Sequence, residues 1–76
     1  MFTIQQLEQG ISNLFAERDP LMDEFDRNRD RIQTLELAAA ALQQQLALLV
    51  DSSDPRRARR LRESASASIA EWRADS

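Results

Sequence analysis

The sequence predicts an all-α fold, in which a long central helix lies in a parallel coiled coil, with shorter helices before Pro20 and after Pro55. Three observations support this prediction. The helix formers Ala, Leu, Gln, Glu and Arg dominate the composition, whereas β-branched residues are few. Apolar residues recur every seven positions through the first two thirds of the chain. Two Asp-Pro pairs divide the chain in the way that helix starts do.

A capping motif and the two Asp-Pro pairs set the expected limits of the helices. Thr3 and Gln6 have the spacing of a capping box, which predicts a helix start just after Thr3. Asp19 and Asp54 each precede a proline, as an N-cap residue does when proline occupies the first helical position. The expected helices cover residues 4–18, 20–50 and 55–73, within a single small domain of residues 1–76.

The seven-residue repeat predicts how the central helix packs. With Ile4 at position a, twelve of the fourteen a and d positions from residue 4 to residue 49 are apolar. A period kept over so many heptads is typical of a coiled coil, because a helix that is only amphipathic does not hold a strict phase. The predicted oligomer core is Ile4, Leu7, Ile11, Leu14, Leu21, Phe25, Asn28, Ile32, Leu35, Leu42, Leu46 and Leu49.

Two arrangements are compatible with this repeat around Asp19-Pro20. The first two helices either run on with a kink at the proline or fold into an antiparallel hairpin whose shared phase is coincidental. We favour the first, because the phase is kept across Pro20 even though an interior proline costs about 3 kcal/mol. Large apolar residues also lie off the seam and indicate that another helix or another protein packs there: Phe15, Met22, Leu37, Leu48 and Val50.

Charged residues beside the seam predict the orientation of the chains. Glu24 at position g precedes Arg29 at position e by five residues, and Arg31 precedes Glu36 in the same way. In a parallel assembly such g and e residues form ion pairs between neighbouring chains. Ordinary pairing within one helix is the alternative for the same residues.

Residues 31–36 read Arg-Ile-Gln-Thr-Leu-Glu and resemble the Arg-h-x-x-h-Glu signature of parallel three-stranded coiled coils, in which h is hydrophobic. The resemblance covers these six residues. It implies that Arg31 reaches Glu36 of a neighbouring chain across the two apolar layers between them, in a homotrimer rather than a dimer. Asn28 at a d position is similar to the buried asparagines of trimeric coiled coils, and is otherwise a surface residue.

The third helix is rich in arginine. Five of the seven residues 56–62 are Arg, and they lie at a helix N-terminus, where the helix dipole disfavours cations. A narrow apolar stripe that ends in Trp72 lies on the other side and either docks on the central helix or meets a partner. Because Arg and Trp commonly anchor protein interfaces, the residues expected to bind a partner are Arg56, Arg57, Arg59, Arg60, Trp72 and Arg73.

The composition argues against an enzyme. The chain has no His, Cys, Lys or Tyr, which are the residues that most often serve as catalytic bases and nucleophiles. We therefore expect no catalytic residue and no cofactor. A metal site is also not expected, because Arg27 and Arg29 lie among the aspartates of the one helical face that carries three of them.

These features lead to one hypothesis and two alternatives. The hypothesis is a non-enzymatic structural or adaptor protein that homo-oligomerises through the coiled coil and docks, by its C-terminal Arg/Trp helix, on a larger assembly such as a bacterial or phage particle. The first alternative is a small helical hairpin that binds and modulates or inhibits one target protein. The second is a nucleic-acid binder, disfavoured by the net charge of −3 and by the lack of aromatic residues among the arginines.

The sequence carries neither the pattern of a secretion signal at residues 1–6 nor an apolar run long enough to span a membrane. We expect a protein of the cytoplasm or of an assembled particle, whose partners are copies of itself and another protein.

Overall fold

A computed structural model describes residues 2–74, of which 92% are helical, with no strand in this range. The all-α prediction is confirmed. Helical backbone continues over 47 residues, from residue 4 to residue 50, before a short turn. The elements are α1 (Ile4–Arg18), a 3₁₀ segment named the corner (Asp19–Glu24), α2 (Phe25–Val50) and α3 (Pro55–Ala74).

Two of the three expected caps are present. The Thr3 side chain accepts a hydrogen bond from the Gln6 amide, and the Gln6 side chain accepts one from the Thr3 amide, which completes the capping box of α1. The Asp54 carboxylate accepts the Arg57 amide at 3.2 Å and caps α3. Asp19 does not act as a cap, because the backbone is already helical there and its carboxylate pairs with Arg18 instead.

The corner reverses the chain, so that α1 and α2 form an antiparallel hairpin. A Cβ on Gly10, in the middle of α1, would meet Cδ1 of Leu42, far along α2, at 3.0 Å. The backbone leaves helical geometry at Glu24, where φ is −125° and ψ is 65°. Asn28 Nδ2 donates to the Leu21 carbonyl at 3.1 Å and holds the corner to the first turn of α2.

The structure therefore shows the hairpin, not the run-on arrangement that we favoured. Pro20 lies inside the corner, where tight 3₁₀ winding tolerates the ring and the missing amide. The apolar stripes of α1 and α2 then bury each other within one chain. This packing avoids the entropy that is lost when separate chains associate.

Helix α3 returns along α2, antiparallel to it, after the turn of residues 51–54. Alanines are prominent among the buried residues of these two helices, which include Ala40 and Ala47 of α2 and Ala58 and Ala65 of α3. Small side chains allow the two helices to pack closely. The main core cluster consists of Leu7, Leu46, Ala47, Val50 and Ala58, with Ile11, Leu42 and Leu61 packed against it.

The result is a three-helix arrangement of 41 × 24 × 19 Å with α2 in the middle. The start of α1, the end of α2 and the start of α3 meet at one end, which we name the open end. The corner, the start of α2 and the end of α3 meet at the other end, which we name the corner end.

Candidate interaction surfaces

The arginine-rich helix lies with its apolar stripe inward. Ala58, Ala65 and Trp72 are buried against α2, and Leu61 and Ile69 are half-buried beside them. The stripe thus docks on the central helix, which was one of the two placements that the sequence left open. The arginines of α3 are consequently left on the sides that face solvent.

Two of these arginines hold the helices together at the open end. Arg57 donates to the Glu8 carboxylate of α1 at 2.6 Å, and Arg62 lies 3.5 Å from the Asp51 carboxylate at the end of α2. The first pair joins residues 49 positions apart in the sequence, and the second spans the turn between α2 and α3. Arg57 therefore has a structural role within the chain, although the sequence placed it among the partner-binding residues.

The outward arginines form a separate surface, which we name the Arg face: Arg56, Arg59 and Arg60, with Glu63 at its edge. These four residues line a shallow concavity of about 350 Å³. Arg59 pairs with Glu63 at 3.1 Å, one turn along the helix. Within residues 2–74, neither Arg56 nor Arg60 has an ion-pair partner. Cations without counter-charges thus lie close to a helix N-terminus.

Trp72 is not an exposed anchor, and the structure corrects that expectation. Its side chain is 4% exposed and stacks on Phe25 with ring centroids 6.0 Å apart. Its indole Nε1 donates to Glu36 at 3.3 Å. The large flat ring fills the space between α3 and the start of α2, where the alanine contact ends. Arg73, the neighbouring candidate, is exposed.

Glu36 is the polar residue that connects all three helices. Besides accepting from Trp72 of α3, its carboxylate lies 3.8 Å from the guanidinium of Arg18, the last residue of α1. Arg18 also pairs with Asp19 at 2.9 Å and lies 4.8 Å over the ring of Phe15. Arg18 falls at an a position when the heptads are counted from Ile4, so it is one of the two polar residues of the seam. The structure explains the charge there, because Glu36 neutralises the guanidinium.

The predicted inter-chain ion pairs have partners inside the chain. Arg31 donates to Glu17 of α1, which ties the two arms of the hairpin together, and Glu36 takes the contacts described above. Glu24 pairs with Arg27 at 3.4 Å, and Arg29 is exposed. Glu24, Arg31 and Glu36, which a parallel trimer would use, are thus already engaged within the chain.

Most of the predicted oligomer core is covered within one chain. Ile32 is fully buried and Leu35, Leu46 and Leu7 nearly so. The half-buried members of that set are Ile11, Leu14, Leu21, Asn28 and Leu42, and the exposed members are Ile4, Phe25 and Leu49.

The sequence did not identify one surface that stands out in the structure, the apolar cluster at the open end. This cluster, named the open-end patch, consists of Phe2, Ile4, Leu48 and Leu49, all of which are exposed. A groove of about 240 Å³ runs through it, lined by Phe2, Leu7, Gln45, Leu48 and Leu49. The off-seam position of Leu48 was one signal, and the absence of charge from residues 37–50 was another.

Residues 2–74 offer neither a cluster of metal ligands nor a membrane-spanning helix. No group of three or more acidic, His or Cys side chains in that range is placed to hold a metal ion. None of the helices in the same range combines the length and the apolar character that crossing a bilayer requires.

Comparison of the chain with protein-family models, with curated proteins and with solved structures gave no match in any of the three.

Proposed function

We propose that this chain is a non-enzymatic adaptor that docks, through the Arg face, on an acidic surface of another protein within a larger assembly. The observation that carries the proposal is the pair Arg56 and Arg60, which project from the start of α3 without ion-pair partners in residues 2–74. The buried stripe of α3 fixes the direction in which they point. A rigid helix therefore presents them, rather than a loop.

Helix electrostatics supports the same reading. Apart from the capping Asp54, the start of α3 carries no acidic residue in its first turn, although a helix N-terminus favours anions and disfavours cations. An unfavourable arrangement of this kind is offset when an acidic partner approaches. Guanidinium groups suit such a partner, because they form paired hydrogen bonds with carboxylates and lose their hydration readily.

The chemistry of the chain also agrees with a binding role. It offers no His, Cys, Lys or Tyr for acid–base or nucleophilic catalysis. With Trp72 placed in the core, the docking residues reduce to Arg56, Arg59, Arg60 and the exposed Arg73. The proposed interface is thus electrostatic and is expected to weaken as salt is added.

A photocrosslinking experiment tests this proposal. A photoreactive amino acid replaces Ala67, an exposed residue of α3 two turns beyond Arg60, in the full chain expressed in its native cells. We expect an adduct with one protein, lost in Arg56→Gln/Arg60→Gln and retained in the matched control Arg27→Gln/Arg29→Gln. An adduct that forms equally in both variants would contradict docking through the Arg face.

Nucleic acid is the competing ligand for the same arginines. Titration of labelled DNA and RNA at two salt concentrations separates the two possibilities, because phosphate contacts make binding steeply salt-dependent. We expect no binding beyond that of the Arg56→Gln/Arg60→Gln variant. Tight binding at low salt that this variant loses would favour the nucleic-acid alternative.

A second proposal concerns self-association through the heptad seam as a parallel trimer, which the phase of the apolar repeat and the signature of residues 31–36 favour. Such a trimer requires the hairpin to open at the corner, since Ile32 and Leu35 are buried inside one chain. A mass of three chains in light scattering would support it. The variant Arg31→Ala would then lower that mass, whereas in the closed chain it removes only an exposed ion pair.

A further inference from the structure

We propose that the open-end patch is the interface of a two-fold dimer in which both chains keep the closed hairpin. The occupant of the groove is a second copy of this chain, with Leu48 of each copy seated in the groove of the other. The inference goes beyond the proposed docking function and shares no residue with the Arg face.

The patch contains both a projection and a recess. Leu48 is 76% exposed and Phe2 is 58% exposed, the two highest values among the large apolar side chains. The groove of about 240 Å³ lies directly beside them and is lined by both. A two-fold interface uses the same patch on each subunit, so the patch must complement itself. A leucine beside a leucine-sized groove satisfies that requirement.

The absence of charge selects a second copy as the occupant. Neither residues 2–7 nor residues 37–50 contain a charged side chain, although 30% of the whole chain is charged. Two copies with a net charge of −3 each repel one another wherever like charges approach. At a two-fold axis each residue lies near its own counterpart, so the uncharged segments are where self-pairing meets least repulsion. A charged partner would find no counter-charge there.

The area of the patch sets the strength of the dimer. Four exposed apolar side chains offer an area on the order of a few hundred Å², which is at the size where patches mark interaction sites. Two copies together bury less than the roughly 1,200–2,000 Å² of a standard stable interface. We therefore expect a weak dimer that exchanges rapidly and forms only at high protein concentration.

Sedimentation equilibrium over a range from about 1 μM to about 1 mM tests the proposal. We expect the average mass to rise from one chain, 8.7 kDa, towards two. Leu48→Gln is expected to weaken association by about tenfold or more, because a buried leucine is lost twice in a two-fold interface. Met22→Gln is the matched control, since Met22 is an exposed apolar residue at the corner end and should leave the mass curve unchanged.

Three outcomes would overturn the proposal. These are a mass of one chain at the highest concentration, a mass of three chains, and a dimer that Leu48→Gln does not weaken. Circular dichroism on each variant shows that the fold is retained, which is expected because both side chains are exposed. A negative result for the dimer does not argue against docking through the Arg face. A negative crosslinking result at Ala67 likewise does not argue against this dimer.

Disulfide formation between mixed variants tests the geometry. The chain has no cysteine, so single cysteines can be introduced without interference. Chains carrying Phe2→Cys mixed with chains carrying Leu48→Cys should yield a cross-linked pair within the two-fold interface. Chains carrying Met22→Cys mixed with Leu48→Cys should not. A cross-link in the second mixture would indicate head-to-tail contact and overturn the two-fold arrangement.

Discussion

At the corner end, the Glu36 carboxylate of α2 contacts both α1 and α3. It accepts a hydrogen bond from Trp72 of α3 and pairs with Arg18 of α1 while it remains largely buried. Loss of a hydrogen bond or ion pair by a buried indole N–H or a largely buried guanidinium costs about 1–3 kcal/mol. One carboxylate therefore couples the docking of α3 to the closure of the hairpin.

Replacement of Glu36 tests this coupling. We expect Glu36→Ala to lower the free energy of unfolding by about 1–3 kcal/mol, because it removes the acceptor of the Trp72 indole N–H and one carboxylate beside Arg18. Glu36→Gln keeps an acceptor for Trp72 and is expected to lose less. Urea unfolding followed by the fluorescence of Trp72, the only tryptophan in the chain, provides the measurement. Equal losses in the two variants would argue against a role for the hydrogen bond.

Arg56 allows docking and stability to be separated at a single residue. It lies in the first turn of α3, where a cation opposes the helix dipole. Arg56→Glu should raise the free energy of unfolding by about 0.3–1 kcal/mol while it weakens docking of the Arg face. Thermal unfolding of the isolated chain is the measurement. A loss of stability would show that Arg56 has a partner within the fold.

At the scale of the elements, the starts of α1 and α3 were predictable, whereas the start of α2, expected at residue 20 and found at Phe25, and the reversal of the chain were not. The start of a helix is set by residues close together in sequence. The caps of α1 and α3 could therefore be predicted from Thr3 with Gln6 and from Asp54 before Pro55. The heptad pattern identifies an apolar seam but not its partner, because a second chain and a folded-back helix satisfy it equally. The corner depends on Glu24 and Asn28, whose geometry has no signature in sequence.

The two candidate surfaces also differ in how far the sequence could predict them. The arginines of residues 56–62 were visible in the sequence because their clustering breaks the helix-dipole preference. Trp72 was misassigned, since an indole suits an interface and a core equally until the neighbouring helix is placed. The open-end patch joins Phe2 with Leu48, residues brought together only by the hairpin, so no local pattern could reveal it.

The contact between α2 and α3 depends on small side chains, and this is testable at one position. Ala65 is completely buried in that contact, whereas Ala67 of the same helix is exposed. We expect Ala65→Leu to destabilise the fold by about 1–3 kcal/mol through overpacking. Ala67→Leu, which is the same change on the outer face, should shift stability by less than about 0.5 kcal/mol. Urea midpoints of the two variants give the comparison.

The contact between α1 and α2 is close at Gly10. An added Cβ would lie 3.0 Å from Cδ1 of Leu42, the end of a flexible and only half-buried side chain. Because Gly in a helix costs about 0.5–1 kcal/mol relative to Ala, Gly10→Ala should be neutral or stabilising by a few tenths of a kcal/mol. Gly10→Leu should be clearly destabilising. If Gly10→Ala were as harmful as Gly10→Leu, the hairpin would be too tightly packed for Leu42 to move.

At the scale of the whole molecule, the closed chain and the open trimer differ in how stability depends on concentration. In the closed chain the core of Leu7, Leu46 and Val50 forms within one molecule, so unfolding involves no dissociation at low concentration. In a trimer the folded state gains from mass action and melts at a higher temperature as concentration rises. A small domain buries a limited core and is only marginally stable. A gain in stability from association would therefore raise its melting temperature measurably.

We therefore expect the melting temperature to be constant between about 1 μM and about 10 μM, below the range in which the weak dimer forms. Circular dichroism at 222 nm and Trp72 fluorescence should report the same midpoint, because Trp72 belongs to the buried layer between α2 and α3. Leu48→Gln should leave the midpoint unchanged in this range and lower it only near millimolar concentration. A midpoint that rises steadily from the lowest concentration would instead show that the heptad seam pairs separate chains, because only then does the core of α2 require a neighbour.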